Sequence, residues 1–167
     1  MTSPFVAILM GSDSDLPVMK ATIDILKQFD ITHEVRVRSA HRTPEAAKAY
    51  VKDAEERGCK VFICAAGLAA HLAGAVAGMT TRPVIGVPID CGPLQGHDAL
   101  LSTVMMPGGI PVATVAIGKA GAKNAGYLAA QILGVADQNM ADKVKAERVA
   151  NAKALLAKDD AMQASLN

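Results

Sequence analysis

The chain has 167 residues, enough for one domain with a buried core. Its 17 basic and 16 acidic residues leave a formal net charge of +1, which excludes a global field for nucleic acid or an anionic membrane. An apolar content of 51% with no Trp and 3% aromatics means small side chains that pack closely and few platforms for stacking bases.

The first residues, MTSPFVAILM, lack a basic n-region and a cleavable apolar stretch, so no signal peptide is expected and the chain reads as cytoplasmic. VAILM (6–10) is the first strand-like run, followed by MGSDSD (10–15) and a helical pattern near 15–29. Gly11 permits a tight exit, and Ser12, Asp13, Ser14 and Asp15 crowd the helix start. Exposed N–H groups and the helix dipole make such a turn an anion site, while the same residues also serve plain N-capping. A carboxylate such as Asp15 suits ribose hydroxyls rather than phosphate.

THEVRVRS (32–39) is the second strand, leading through SAHRTP (39–44) into a helix near 44–57. Thr43 as N-cap and Pro44 at the first helical position specify the helix start and leave His41 and Arg42 unexplained. An arginine fork suits phosphate or carboxylate, and an imidazole titrates where a proton must move both ways.

VFICAAGLAAHLAGAVAGM (61–79) has no Asp, Glu, Lys or Arg and the length of a membrane span. Its Ala and Gly content and central His71 point instead to a strand at 61–67, a glycine turn and a helix near 70–80. Gly67 and the alanines let a ligand approach the backbone, whose N–H groups can hold a carboxylate. Taken alone, His71 reads more readily as a core residue.

PVIGVPI (83–89) and VATVAIG (112–118) complete five strands, with helices near 96–105 and 122–133. The exits DCGPLQGHD and GKAGAKNAG carry no paired acid and base, MMPGGIP (105–111) has the composition of a lid loop, and His33 and His97 read as surface residues. Cys59, Cys64 and Cys91 form no CxxC pair and read as small buried apolar residues.

Alternation of five strands with five helices predicts a doubly wound α/β layer with a parallel sheet, for which the strand order 2-1-3-4-5 is expected. Residues 1–134 form this domain, and 135–167 a polar helical extension that covers a neighbouring subunit or is partly solvated. Walker A, GxSxG, HExxH and Cys/His metal spacings are missing, and GxGxxG does not follow the first strand. Ligands of such sheets bind at the carboxyl ends of the strands. The residues therefore describe an anion-binding cleft with one or two histidines and no metal, suited to proton transfer on a small phosphorylated molecule.

GSDSD, SAHRTP, AAGLAAHLAG, LLSTVMMPGGIPVATVAIG and KAGAKNAGYLAAQIL together resemble the bacterial N5-carboxyaminoimidazole ribonucleotide mutase family of purine biosynthesis, across roughly residues 5–135. The resemblance implies a flavodoxin-like three-layer α/β/α sandwich assembled as a homo-octamer. It also implies a ribonucleotide monophosphate substrate whose N-linked carboxylate moves to C4 of the imidazole without ATP, metal or organic cofactor.

By the same resemblance His41 is the general acid/base. Ser12 and Asp15 bind substrate, Ser14, Ser39 and Arg42 lie on the phosphate side, and Ala40 is a further binding position. Ala66 and Gly67, with His71 nearby, enclose the CO2. The family's third turn usually reads GGAAHLPG, so Leu68 and Ala73 depart from it, as do Leu16 (often Trp) and Met105 (often Gln). Two alternatives stand beside this reading. One is the related direct carboxylase, which tends to carry Lys after the second-turn His and an RSN-type third turn. The other is a non-catalytic nucleotide-binding domain on the same fold.

Overall fold

A computed structural model describes residues 4–166. Residues 1–3, where the segment judged not to be a signal peptide begins, and residue 167 lie outside them. The elements are β1 (Phe5–Met10), α1 (Leu16–Gln28), β2 (His33–Val37), α2 (Pro44–Glu56), β3 (Cys59–Ala66), α3 (Leu72–Ala77), β4 (Val84–Pro88), α4 (His97–Val104), β5 (Ala113–Thr114), α5 (Gly118–Gly134) and α6 (Gln138–Leu166). All strand pairs are parallel, in the order β2-β1-β3-β4-β5.

Both faces of the sheet are covered, which is why β1, β3 and β4 read as unbroken apolar runs. Strand side chains alternate faces. Val6, Ile8 and Met10 therefore meet Met19 and Leu26 of α1 and Ala122, Ala125 and Ala129 of α5. Phe5, Ala7 and Leu9 pack on the opposite side with Tyr50 and Val51 of α2 and Leu72 and Val76 of α3. Small residues let α1 and α5 touch closely. A Cβ at Gly126 would come within 2.8 Å of the Ile25 Cβ, and Thr22 donates its hydroxyl to the Ala122 carbonyl at 2.6 Å.

The edge strand β2 is fixed to α2 through Glu34, which accepts from the Tyr50 hydroxyl at 2.9 Å and from Arg57. These partners hold the Glu34 carboxyl below the usual carboxylate range, the Arg57 hydrogen bond contributing most.

Three features differ from the sequence reading. The fifth strand keeps only Ala113–Thr114, because α5 begins at Gly118 and its lead-in turns the chain off the ladder. Helix α3 shrinks to Leu72–Ala77, giving residues 67–71 to an open turn. Met140 and Val144 of α6 are buried in the core of their own domain, and Lys143 and Glu147 bond to Asp30 and Tyr127. The extension is thus more firmly attached than its polar composition predicts. From Arg148 onward it is exposed, including Val149, Leu155, Leu156 and Met162. Among the described residues no helix is long and apolar enough to cross a membrane, and the 61–79 run divides into β3, a turn and α3.

Candidate active site

Strand order reverses around β1: the chain passes from it outward to β2 and then back across to β3. Open α/β sheets place their ligand crevice at such a switch point. The exits of β1, β2 and β3 surround a cleft of about 480 Å³ there. All ten residues expected at the site line it: Ser12, Ser14 and Asp15 from the first exit, Ser39, Ala40, His41 and Arg42 from the second, and Ala66, Gly67 and His71 from the third.

The first exit is closed by its own hydrogen bonds. Gly11 N–H donates to the Ala65 carbonyl, Ser12 Oγ accepts from Ser14 N–H at 3.3 Å, and Ser12 N–H donates to Asp15 Oδ2 at 3.0 Å. The capping alternative is therefore realised, as a reciprocal capping box. Asp15 is only 5% exposed. Burial raises its pKa above the usual carboxylate range, opposed by the Ser12 and Gly11 N–H groups and the Arg42 charge.

The second exit is a turn laced by Ser39 and Thr43. Ser39 Oγ accepts from Arg42 N–H at 3.1 Å, and the Thr43 hydroxyl donates to the Ser39 carbonyl. Thr43 does occupy the N-cap position, but its side chain turns back to Ser39 and caps nothing, a correction to the sequence reading. Pro44 sits in the first turn as expected. Arg42 reaches across to the first exit, donating from Nη2 to the Gly11 carbonyl at 2.7 Å. His41 faces the third exit: its Nε2 lies 2.7 Å from Nδ1 of His71, with the rings edge to face.

The third exit is different in kind. The N–H groups of Gly67, Leu68, Ala69 and Ala70 donate to no group among the described residues. Leu68 has a left-handed φ of 56°, a conformation an L side chain adopts at a cost of about 1–2 kcal/mol. This explains why Gly is usual there in the family the motifs resemble. Gly67 is required by space, since a Cβ would overlap the Cys91 sulfur.

Cys91, Leu68 and Ala69 also line the cleft and were missed as site residues. Cys91 follows β4, so the rule that selects strand exits was signal enough to find it; the search for acid–base pairs passed over it. No residue of 105–111 lines the cleft; Met106 lies against Gly74 instead. His33, which is partly buried rather than a surface residue, and the exposed His97 bond to nearby carbonyls away from the cleft. Among the described residues no group of three His, Cys, Asp or Glu side chains is placed to hold a metal ion.

The arrangement offers a guanidinium, free backbone donors and an imidazole pair around one hollow, which suits an anionic substrate and proton transfer. N5-carboxyaminoimidazole ribonucleotide mutase of Thermotoga maritima is 58% identical over 142 residues, 85% of this chain and 82% of that protein. The Bacillus subtilis protein of the same name is 52% identical over 157 residues, 94% of this chain and 97% of its own length. The crystal structure of Treponema denticola PurE superposes with a TM-score of 0.85 at 34% identity, covering 95% of this chain and 98% of that one. The AIR carboxylase family model matches residues 5–154, a span that takes in the sheet and all three exits, and the chain belongs to that family.

Proposed function

We propose that this chain is an N5-carboxyaminoimidazole ribonucleotide mutase, which moves a carboxylate from the exocyclic nitrogen of the nucleotide to C4 of its imidazole in purine biosynthesis. The observation that carries this reading is the joining of three exits in one cleft, with His41 and Arg42 side by side and the free amides of residues 67–70 opposite.

Each group has a task in that reaction. Arg42, with Ser14 and Ser39, holds the phosphate. Ser12 and Asp15 receive the ribose hydroxyls, and Ala40 adds backbone contact. The carbamate C–N bond breaks with its electron pair returning to nitrogen, which takes a proton from His41. The released CO2 is retained by the backbone around Ala66 and Gly67. C4 then attacks it, the new C–C bond forms, and His41 removes the C4 proton, restoring the ring and its own charge. One proton leaves and returns, so no metal, ATP or organic cofactor is required. Retention of CO2 needs a site closed to water.

The exposed distal half of α6 supports a homo-oligomer, which we take to be an octamer in which residues from Arg148 onward cover a neighbouring subunit. The enzyme works in the cytoplasm on a soluble nucleotide.

Label in the substrate carboxylate tests the reading. Incubated without ATP and with chelator, the enzyme gives 4-carboxy product that keeps the label, and His41→Asn binds substrate without turning it over. Product formed only from aminoimidazole ribonucleotide and bicarbonate would identify a direct carboxylase. Binding without any product would identify a non-catalytic domain.

A further inference from the structure

We propose that Leu68 decides the fate of the released CO2: its side chain is the apolar wall of the third exit and keeps the molecule in the cleft until C4 takes it. This rests on the mutase reading, in which CO2 is free between two bond changes.

The core does not require a leucine at this position. Its φ of 56° lies in the left-handed region, where a side chain is strained and a glycine is not. The residue is 53% exposed and belongs to neither core cluster. A strained backbone and an uncovered leucine coincide on the wall of the cleft, where shape serves a ligand rather than stability.

The side chain is seated from the neighbouring exit. Leu68 Cδ2 lies close against Gly92, where an added Cβ would come within 2.7 Å of it. The exits of β3 and β4 thus meet through two contacts, Gly67 with the Cys91 sulfur and Leu68 with Gly92. With glycine at 68 as well as at 92, that side of the exit would stand open.

CO2 has no net charge and no hydrogen to donate, so the amides that suit a carboxylate hold it weakly. Apolar contact and exclusion of water are what delay its escape. Among the residues that line the cleft, Leu68 and Leu72 carry the large aliphatic side chains, and Leu72 is committed to the core at 2% exposure. Leu68 is the one left to cover a molecule beside residues 67–70. From there CO2 either forms the C–C bond at C4 or departs, and departure leaves aminoimidazole ribonucleotide as the other product.

Three variants test the wall. Leu68→Ala removes the aliphatic tip and keeps a Cβ in the left-handed turn; Leu68→Gly removes both side chain and strain; Leu68→Met restores an apolar side chain of similar volume. Each receives the N5-carboxylated ribonucleotide with label in its carboxylate, in unlabelled bicarbonate with carbonic anhydrase, so that escaped CO2 is diluted before it can return. Spontaneous loss is subtracted with an enzyme-free sample. In the Ala and Gly variants the ratio of aminoimidazole ribonucleotide to labelled 4-carboxy product should rise roughly 10-fold, as expected for three aliphatic carbons in partial contact. Substrate consumption should change less than that ratio. Met should bring the ratio to within about threefold of wild type.

An unchanged ratio in the Ala and Gly variants overturns the proposal. So does a rise in Gly alone, which would assign the effect to the backbone, or a Met variant as leaky as Ala. Gel filtration accompanies each assay, and a raised ratio that follows loss of assembly would make Leu68 an interface residue instead. Wild-type protein separates the two readings. If it makes no labelled product, the mutase reading falls and this proposal with it; if it does and the variants match it, this proposal alone falls.

Discussion

The first and third exits of the sheet face each other across one cleft and are built on opposite plans. Gly11–Asp15 is closed on itself, with serine and aspartate satisfying its backbone groups. Residues 67–70 leave theirs open and depend on small side chains, a left-handed Leu68 and the Cys91 sulfur seated against Gly67. A closed turn is rigid before any ligand arrives. An open one presents donors to whatever anionic group enters, and its shape is set by the neighbours that crowd it. In the mechanism proposed above, positioning of the nucleotide belongs to the first plan and reception of the migrating carboxylate to the second.

The largest test of this contrast is Gly67→Ala. The added Cβ collides with Cys91, and misplacement of the donors should lower kcat/KM on the order of 100-fold. Adding Cys91→Ala removes the obstructing sulfur and should recover most of the loss; a steady-state assay of both variants decides it. Next comes Arg42→Ala, which deletes the proposed phosphate contact together with the tether to Gly11. Binding of the phosphorylated ligand should weaken about 10- to 100-fold and that of its nucleoside much less, as calorimetry would show. Equal losses would mean that the arginine only braces the turns.

A smaller effect tests the closed turn through pH. Burial raises the Asp15 pKa, so the stability this carboxyl contributes is complete when it is protonated and declines as pH rises through its folded value. Asp15→Asn cannot ionise and still accepts from Ser12. Its stability relative to wild type should therefore improve from pH 4 to pH 7 in denaturant titrations; a constant difference would refute the sign. Smallest is Leu68→Gly, which relieves the left-handed conformation. It should raise stability by about 1 kcal/mol, or roughly 2–4 °C in Tm.

The fold was legible where burial on both sheet faces leaves continuous apolar runs, as in β1, β3 and β4. It was not legible at residues 112–118, where the same apolar pattern continues although the chain has left the ladder for α5. The start of α6 was misjudged because two apolar side chains, Met140 and Val144, suffice to dock a helix whose average character is polar. At the site, each exit could be inspected separately from sequence, and His41 and Arg42 stood out because capping left them over. What sequence lacked was distance. The exits of β2 and β3 lie two strand spacings apart, about 9–10 Å, on either side of β1, and two imidazoles reaching inward close that gap. His71, ambiguous alone, becomes specific once residue 41 is placed opposite it.

The three cysteines are unequal in a way that makes the molecule its own instrument. Cys59 is buried, and burial pushes its thiol up to about 11; Cys64 is buried as well and is raised further. Alkylating reagents act on thiolates they can reach, so both should remain silent. Cys91 alone among them is partly accessible, and it lies on the cleft wall. Its rate of modification by a small maleimide therefore reports, without any added probe, how often the hollow is empty.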